Sequence, residues 1–178
     1  RRKFGVKDGE FLLLFVGSGW ERKGLNFVLR ALRRLDDVPG GVKLLVVGKG
    51  RKPWFAPANA IFAGTMSDLK HVYAAADLFV FPPIYEPSAN VIIEALAAGL
   101  PVITSVNNGA GEVIQENVTG NVVAEYWRPE VLAGAIRPWI AHPRRVTADP
   151  AVLDLERNVN ETLAILELAA REKKAALK

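Results

Sequence analysis

Two glutamates, Glu86 and Glu94, bracket a stretch that opens on a proline: Glu86-Pro87-Ser88-Ala89-Asn90-Val91-Ile92-Ile93-Glu94. A proline at a helix start leaves the backbone N–H groups of about Ser88, Ala89 and Asn90 without intrahelical partners. Those donors and the positive end of the helix dipole make an anion site. Glu86 stands just before that end, and Glu94 about two turns in, its side chain leaning back toward it. Carboxylates repel phosphates, so the pair suits hydroxyl groups on either side of a bound phosphate. A sugar, a pyrophosphate and a ribose in a row have that layout. Taken alone the spacing is ordinary: Glu86 also reads as a solvated loop carboxylate and Glu94 as an exposed helix residue. The neighbours Ile92, Ile93, Ala95, Leu96 and Ala97 make the helix apolar over most of its girth, so a glutamate within it needs a polar partner.

A second set of residues, Trp20-Glu21-Arg22-Lys23-Gly24, puts two cations where a helix is expected to begin. Cations at that end oppose the helix dipole. A bound pyrophosphate accounts for them, and so do two solvated side chains. Gly17-x-Gly19 is no dinucleotide fingerprint, because Gly24 comes too late to be its third glycine. His71 and His142 have no paired acid or nucleophile nearby, and the serines lack a nucleophile-elbow context. There is no cysteine, which removes disulfides, thiolate metal sites and cysteine nucleophiles. No metal site is expected.

The elements that must position these residues follow from hydrophobic patterning. Phe11–Val16 is apolar throughout and closed by Gly17-Ser18-Gly19, a buried strand. Lys23–Leu35 has apolar residues at helical spacing. Val42–Val47 and Ala60–Ala63 read as strands, and Ser67 or Asp68 caps a short helix to about Ala76. Leu78–Phe81 is a strand, a helix covers about Ala89–Ala98, and Gly99 ends it. Pro101–Thr104 and Asn121–Ala124 are strands, and Glu130–Ile140 is a helix. Strands apolar on both faces, alternating with helices, predict a Rossmann-like, doubly wound parallel α/β sheet. Ligands bind at the carboxyl ends of such strands, here the loops Gly17–Arg22, Gly48–Trp54, Gly64–Ser67, Pro82–Ala89 and Ser105–Gly111.

With 178 residues the chain holds one such domain, residues 1–148, followed by a long amphipathic helix over residues 149–178. It lacks an initiator Met and reads as part of a longer protein. It also lacks a signal sequence and any apolar run near the ~18–20 residues that span a bilayer, so a cytoplasmic location is expected. The net charge is +4, with basic residues crowded into the amino-terminal part. The aromatic residues among them, such as Phe4 and Trp20, stand singly and not as a base-stacking platform, so nucleic acid is not an expected partner.

Together these motifs resemble the donor-binding domain of retaining GT-B glycosyltransferases of family 4, also called glycosyl transferases group 1. Glu86-x7-Glu94 with Ala95-Leu96-Ala97-Ala98-Gly99-Leu100-Pro101-Val102-Ile103 is similar to the family's donor signature. Val16–Gly24, Val46–Gly50, Phe62–Gly64, Tyr73–Val80 and Asn108–Ile114 fall at its expected places. Ser18, standing where an arginine is frequent, and the short loop to Arg22-Lys23 resemble the lipopolysaccharide core glucosyltransferases within it. The resemblance implies that Arg22 and Lys23 hold the pyrophosphate and stabilise the leaving nucleoside diphosphate, in place of a metal. It assigns Glu86 to the donor sugar and Glu94 to the ribose. Gly17, Ser18, Ser88, Ala89 and Asn90 would meet sugar and phosphates; Thr65, Met66 and Val91 would line the base. No cofactor is implied; the substrate would be a nucleotide-sugar, expected to be UDP-linked. An amino-terminal acceptor domain outside these residues would receive a glycan or lipid-linked acceptor, with peripheral contact at the inner membrane. The terminal helix would pack toward that domain, and the isolated chain would be inactive. A nucleotide-sugar epimerase of the same architecture and a non-catalytic α/β module are the competing readings. The epimerase lacks a reason for the Arg22-Lys23-Gly24 loop, and a receiver-like module would need clustered acids after the first strand.

Overall fold

A computed structural model describes residues 1–152 and 154–176. Residues 1–147 form one compact unit and residues 148–178 another.

The first unit is built on a six-stranded sheet. Its strands are β1 (Phe11–Val16), β2 (Val42–Val47), β3 (Ala60–Gly64), β4 (Leu78–Phe81), β5 (Val102–Ser105) and β6 (Gly120–Val123). They lie in the order β3-β2-β1-β4-β5-β6, and every pairing is parallel. Every residue of β1 is buried, as its unbroken apolar run predicts. Phe15, Phe79 and Phe81 stack through the middle of the core, with the Phe15 and Phe81 rings 5.5 Å apart.

The helices of this unit are α1 (Leu25–Leu32), α2 (Lys70–Ala75), α3 (Asn90–Ala97) and α4 (Pro129–Ala141). The strand order reverses direction after β3, so right-handed crossovers put α1 on one face and α2 and α3 on the other. α4 returns to pack on α1. Gly99, at φ 74°, ends α3 in a left-handed turn, and the Leu100 N–H donates back to Ala95 O at 2.9 Å.

Two helix starts differ from expectation. α1 begins at Leu25, because Gly24 at φ 81° breaks the helical path. A side chain there would also lie 1.8 Å from the carbonyl oxygen of Pro82. α3 begins at Asn90, since Ala89 remains extended. The short helix before β4 starts at Lys70, with the Asp68 carboxylate accepting its N–H at 3.0 Å.

In the second unit, a short 3₁₀ turn (Pro150–Val152) precedes α5 (Leu155–Ala176), so the long helix starts later than residue 149. Val159, Leu163, Ile165, Leu166 and Leu168 of α5 are exposed.

Candidate functional site

The sheet changes direction between β1 and β4, and the loops after these strands carry Arg22, Lys23 and Glu86. A crevice at such a reversal is where parallel sheets bind ligands. The loops are joined through their backbones. The Gly48 N–H donates to Gly64 O at 2.8 Å, and the Gly19 N–H to Lys49 O at 3.2 Å. The Ile84 N–H donates to Arg22 O at 2.9 Å; the Glu86 N–H meets Asn107 O at 3.0 Å. The Gly109 N–H returns to Glu86 O at 3.0 Å. The sheet's lateral pairing thus continues past the strand ends into the loops.

Arg22 and Lys23 lie in the turn before α1, not at its first residues as expected, so the helix dipole opposes them less than the sequence implied. Arg22 donates from Nη1 to Tyr85 O at 2.8 Å and to the Glu86 carboxylate at 3.2 Å. The Lys23 stem crosses Gly17, where any Cβ would stand 2.9 Å from its Cδ. Its Nζ lies 5.5 Å from the centre of the Phe81 ring and 3.9 Å from Glu86. Glu86 therefore faces both cations. The Arg22 side chain is 54% exposed while Glu86 is only 15%, so solvent weakens the pair from the Arg22 side alone. Arg22 can leave Glu86 for a stronger anion, with Lys23 remaining beside the carboxylate.

At the open end of α3 the N–H groups of Ser88, Ala89, Asn90 and Val91 meet no acceptor among the described residues. No side chain caps this end. About one turn into α3, Glu94 is exposed rather than enclosed by apolar neighbours, because Ile93 is only half-buried and Ala97 is exposed. Its polar partner is Tyr73 of α2, whose hydroxyl donates to Glu94 Oε2 at 2.8 Å. Tyr73 is buried, and its ionisation is pushed up first by that burial, then by the hydrogen bond and charge of Glu94. Its partnership with Glu94 joins two helices and was not foreseen.

The remaining expected positions lie along the same edge. Gly17 donates its N–H to Val47 O at 2.9 Å. Ser18 does structural work: its hydroxyl accepts the Lys49 N–H at 3.0 Å. Thr65 is exposed and Met66 half-buried, directly after Gly64.

A buried set of polar residues holds the loop after β4, and sequence reasoning did not single it out. Thr104 donates to Phe81 O at 2.7 Å, Ser105 to Pro83 O at 2.6 Å, and Asn108 Nδ2 to Thr104 Oγ1 at 2.9 Å. Gly109 lets this support approach closely, since a Cβ there would stand 2.0 Å from Pro87 O. The one signal available was polar residues at the end of an otherwise apolar strand.

Sheets of this order and handedness, with an open helix end and cations at the reversal point, are the framework of Rossmann-like nucleotide-binding domains, and the first unit is one of them by fold. More narrowly, residues 1–151 match the family described as glycosyl transferases group 1, and the chain belongs to that family. It is 30% identical over 185 residues to the lipopolysaccharide glucosyltransferase WaaG of Escherichia coli, covering 99% of this chain and 48% of WaaG. The crystal structure of WaaG superposes with a TM-score of 0.73 at 32% identity, over 80% of this chain and 41% of that one. The crystal structure of Anabaena HepE in complex with UDP superposes at a TM-score of 0.74 with 22% identity, over 92% of this chain and 51% of that one. The fold is thus the Rossmann-like half of a GT-B architecture. The chain spans about a third to a half of the length of the curated relatives it matches. None of these relatives points to an epimerase or a non-catalytic module.

Proposed function

We propose that this chain is the donor-binding domain of a retaining glycosyltransferase, which takes a nucleoside-diphosphate sugar and transfers a hexose to a glycan or lipopolysaccharide-type acceptor. The observation that carries the reading is the convergence of Arg22, Lys23 and Glu86 at the reversal point, beside the uncapped start of α3. Family membership and the likeness to WaaG support it, as does UDP in the HepE complex.

In this reading the pyrophosphate lies on the N–H groups of Ser88, Ala89, Asn90 and Val91, and Arg22 and Lys23 turn from Glu86 to its oxygens. As the bond to the sugar breaks, negative charge grows on the leaving phosphate, and these cations stabilise it. They supply the positive charge that a metal provides elsewhere, so no metal or other cofactor is needed. Glu86, freed from the cations, accepts hydroxyls of the donor sugar. Glu94, oriented by Tyr73, accepts those of the ribose. Gly17 and Ser18 close over the phosphates; Thr65, Met66 and Val91 line the base, uracil in keeping with the UDP of the HepE complex. Most acceptor contacts fall to a preceding domain, which completes the catalytic cleft; residues 149–178 pack toward it, and a lipid-linked acceptor brings that enzyme to the inner face of the membrane. Residues 1–148 alone bind donor without turnover.

Calorimetric titration with UDP-glucose, UDP-N-acetylglucosamine, ADP-glucose and GDP-mannose tests this. The expected result is weak binding, with about millimolar Kd corresponding to ~4 kcal/mol, lost in Glu94→Ala and Lys23→Ala. No binding by any of them, or binding indifferent to both substitutions, would sink the reading.

A further inference from the structure

Beside the reversal point an open groove of about 1000 Å³ lies between the loops that follow β1 and β2. Arg22, Lys49, Arg51, Lys52, Trp20 and Trp54 line it, with Glu21 as its carboxylate. Apart from Arg22, none of the residues assigned above to the donor lines this space. Lys49 and Arg51 take part in no ion pair among the described residues, and Lys52 lies over the Phe62 ring at 5.1 Å. Cations gathered in a concavity without matching acids raise the local concentration of anions.

The groove has fixed walls. Gly50 fits against the Trp20 ring, where a Cβ would approach within 2.4 Å, and Trp20 Nε1 donates to Gly17 O at 2.8 Å. The far wall is pinned from α1 and the 3₁₀ turn that follows it (Arg33–Leu35): Arg33 donates to Phe55 O at 2.5 Å and Arg30 of α1 lies over the Phe55 ring at 5.8 Å. The Trp54 indole is 95% exposed, set edge-on to Phe55 with ring centres 5.9 Å apart. An indole left in water at the mouth of a cationic recess offers an apolar face to a ligand that is also charged. The C–H face of a pyranose ring fits the indole, and a phosphate fits the lysines and arginine.

We propose that this groove binds a phosphorylated sugar, its phosphate on Lys49, Arg51 and Lys52 and its ring on Trp54. Its opening beside Arg22 puts that sugar next to the donor, so on the function proposed above it is an anionic acceptor glycan. The nucleotide itself is a poorer occupant, because the open end of α3, Glu94 and the loop after Gly64 contribute nothing to these walls. A flat bilayer surface fits a recess poorly.

Mannose 6-phosphate serves as the probe, titrated into the chain by calorimetry with and without saturating UDP. The expected result is binding that persists with UDP, weakens about 10-fold or more in the Arg51→Ala/Lys52→Ala double variant through lost charge-assisted bonds, and weakens about 3- to 10-fold in Trp54→Ala. These side chains are exposed, and unchanged thermal melting of the variants shows that folding is intact. Competition by UDP overturns the proposal, as does equal affinity for inorganic phosphate. Absence of binding does the same. So does capture by vesicles of anionic lipid, lost in the double variant, without sugar-phosphate binding. Sugar-phosphate binding by a chain that takes up no UDP in a separate titration supports the groove while removing the donor reading.

Discussion

Glu86 shares its carboxylate between Arg22 and Lys23, and removing that charge has opposite consequences for two ligands. In Glu86→Gln the cations are released to a phosphate without competition, so UDP itself should bind tighter. The gain should be at least about 1.5- to 5-fold, since ~0.2–1 kcal/mol is typical of an exposed pair and Glu86 is only 15% exposed. A UDP-sugar should bind no tighter, because its hydroxyls lose their acceptor; parallel titrations of the two ligands read the difference. Tyr73→Phe keeps the ring beside Phe79 and removes the hydroxyl that orients Glu94. It should cost about 0.5–1.5 kcal/mol in denaturant unfolding and weaken UDP less than Glu94→Ala does. The sign of its pH dependence follows from the raised ionisation of Tyr73. A phenol whose pKa is higher folded than unfolded contributes fully below the ordinary value of 10.0 and loses that contribution as pH rises above it. Stability of the wild type should therefore fall progressively from about pH 9 upward and not level off near pH 11, and Tyr73→Phe should lack this part of the fall.

At the elements, the joint between β1 and α1 is the least forgiving. Gly24→Ala meets both a left-handed backbone and the Pro82 carbonyl, so we expect a loss of roughly 2–4 kcal/mol, visible as a lower Tm. Thr104→Val at the end of β5 is isosteric and leaves Phe81 O and the Asn108 amide short of a partner, at a cost of about 1–3 kcal/mol by the same measurement. Much of this architecture was legible beforehand. Runs such as Phe11–Val16, apolar on both faces and ended by glycine, permit little besides a central parallel strand. Helix starts were less legible, because Gly24 and Ala89 are set by contacts with other loops and by local backbone geometry rather than by residue type. The Tyr73–Glu94 bond and the Thr104–Asn108 support join residues that only the folded topology brings together. The groove was invisible for a related reason. Its cations come from separate loops, and Arg30 and Arg33 hold the loop that carries Trp54 from a different part of the chain.

The first unit, residues 1–147, carries the whole sheet and its own aromatic core. A chain ending at Thr147 should accordingly melt in one cooperative transition, with calorimetric and van't Hoff enthalpies equal. The backbone bonds that join the loops give this unit a further property. They run through main-chain atoms, and among the described residues the side chains of Thr65, Met66, Ser88 and Asn90 enter no hydrogen bond. Those positions are free to vary without loosening the rim, whereas inserting one residue between Gly48 and Lys49 would throw neighbouring loops out of step. Drift in ligand preference on this scaffold should proceed by substitution, and changes of loop length should be rare.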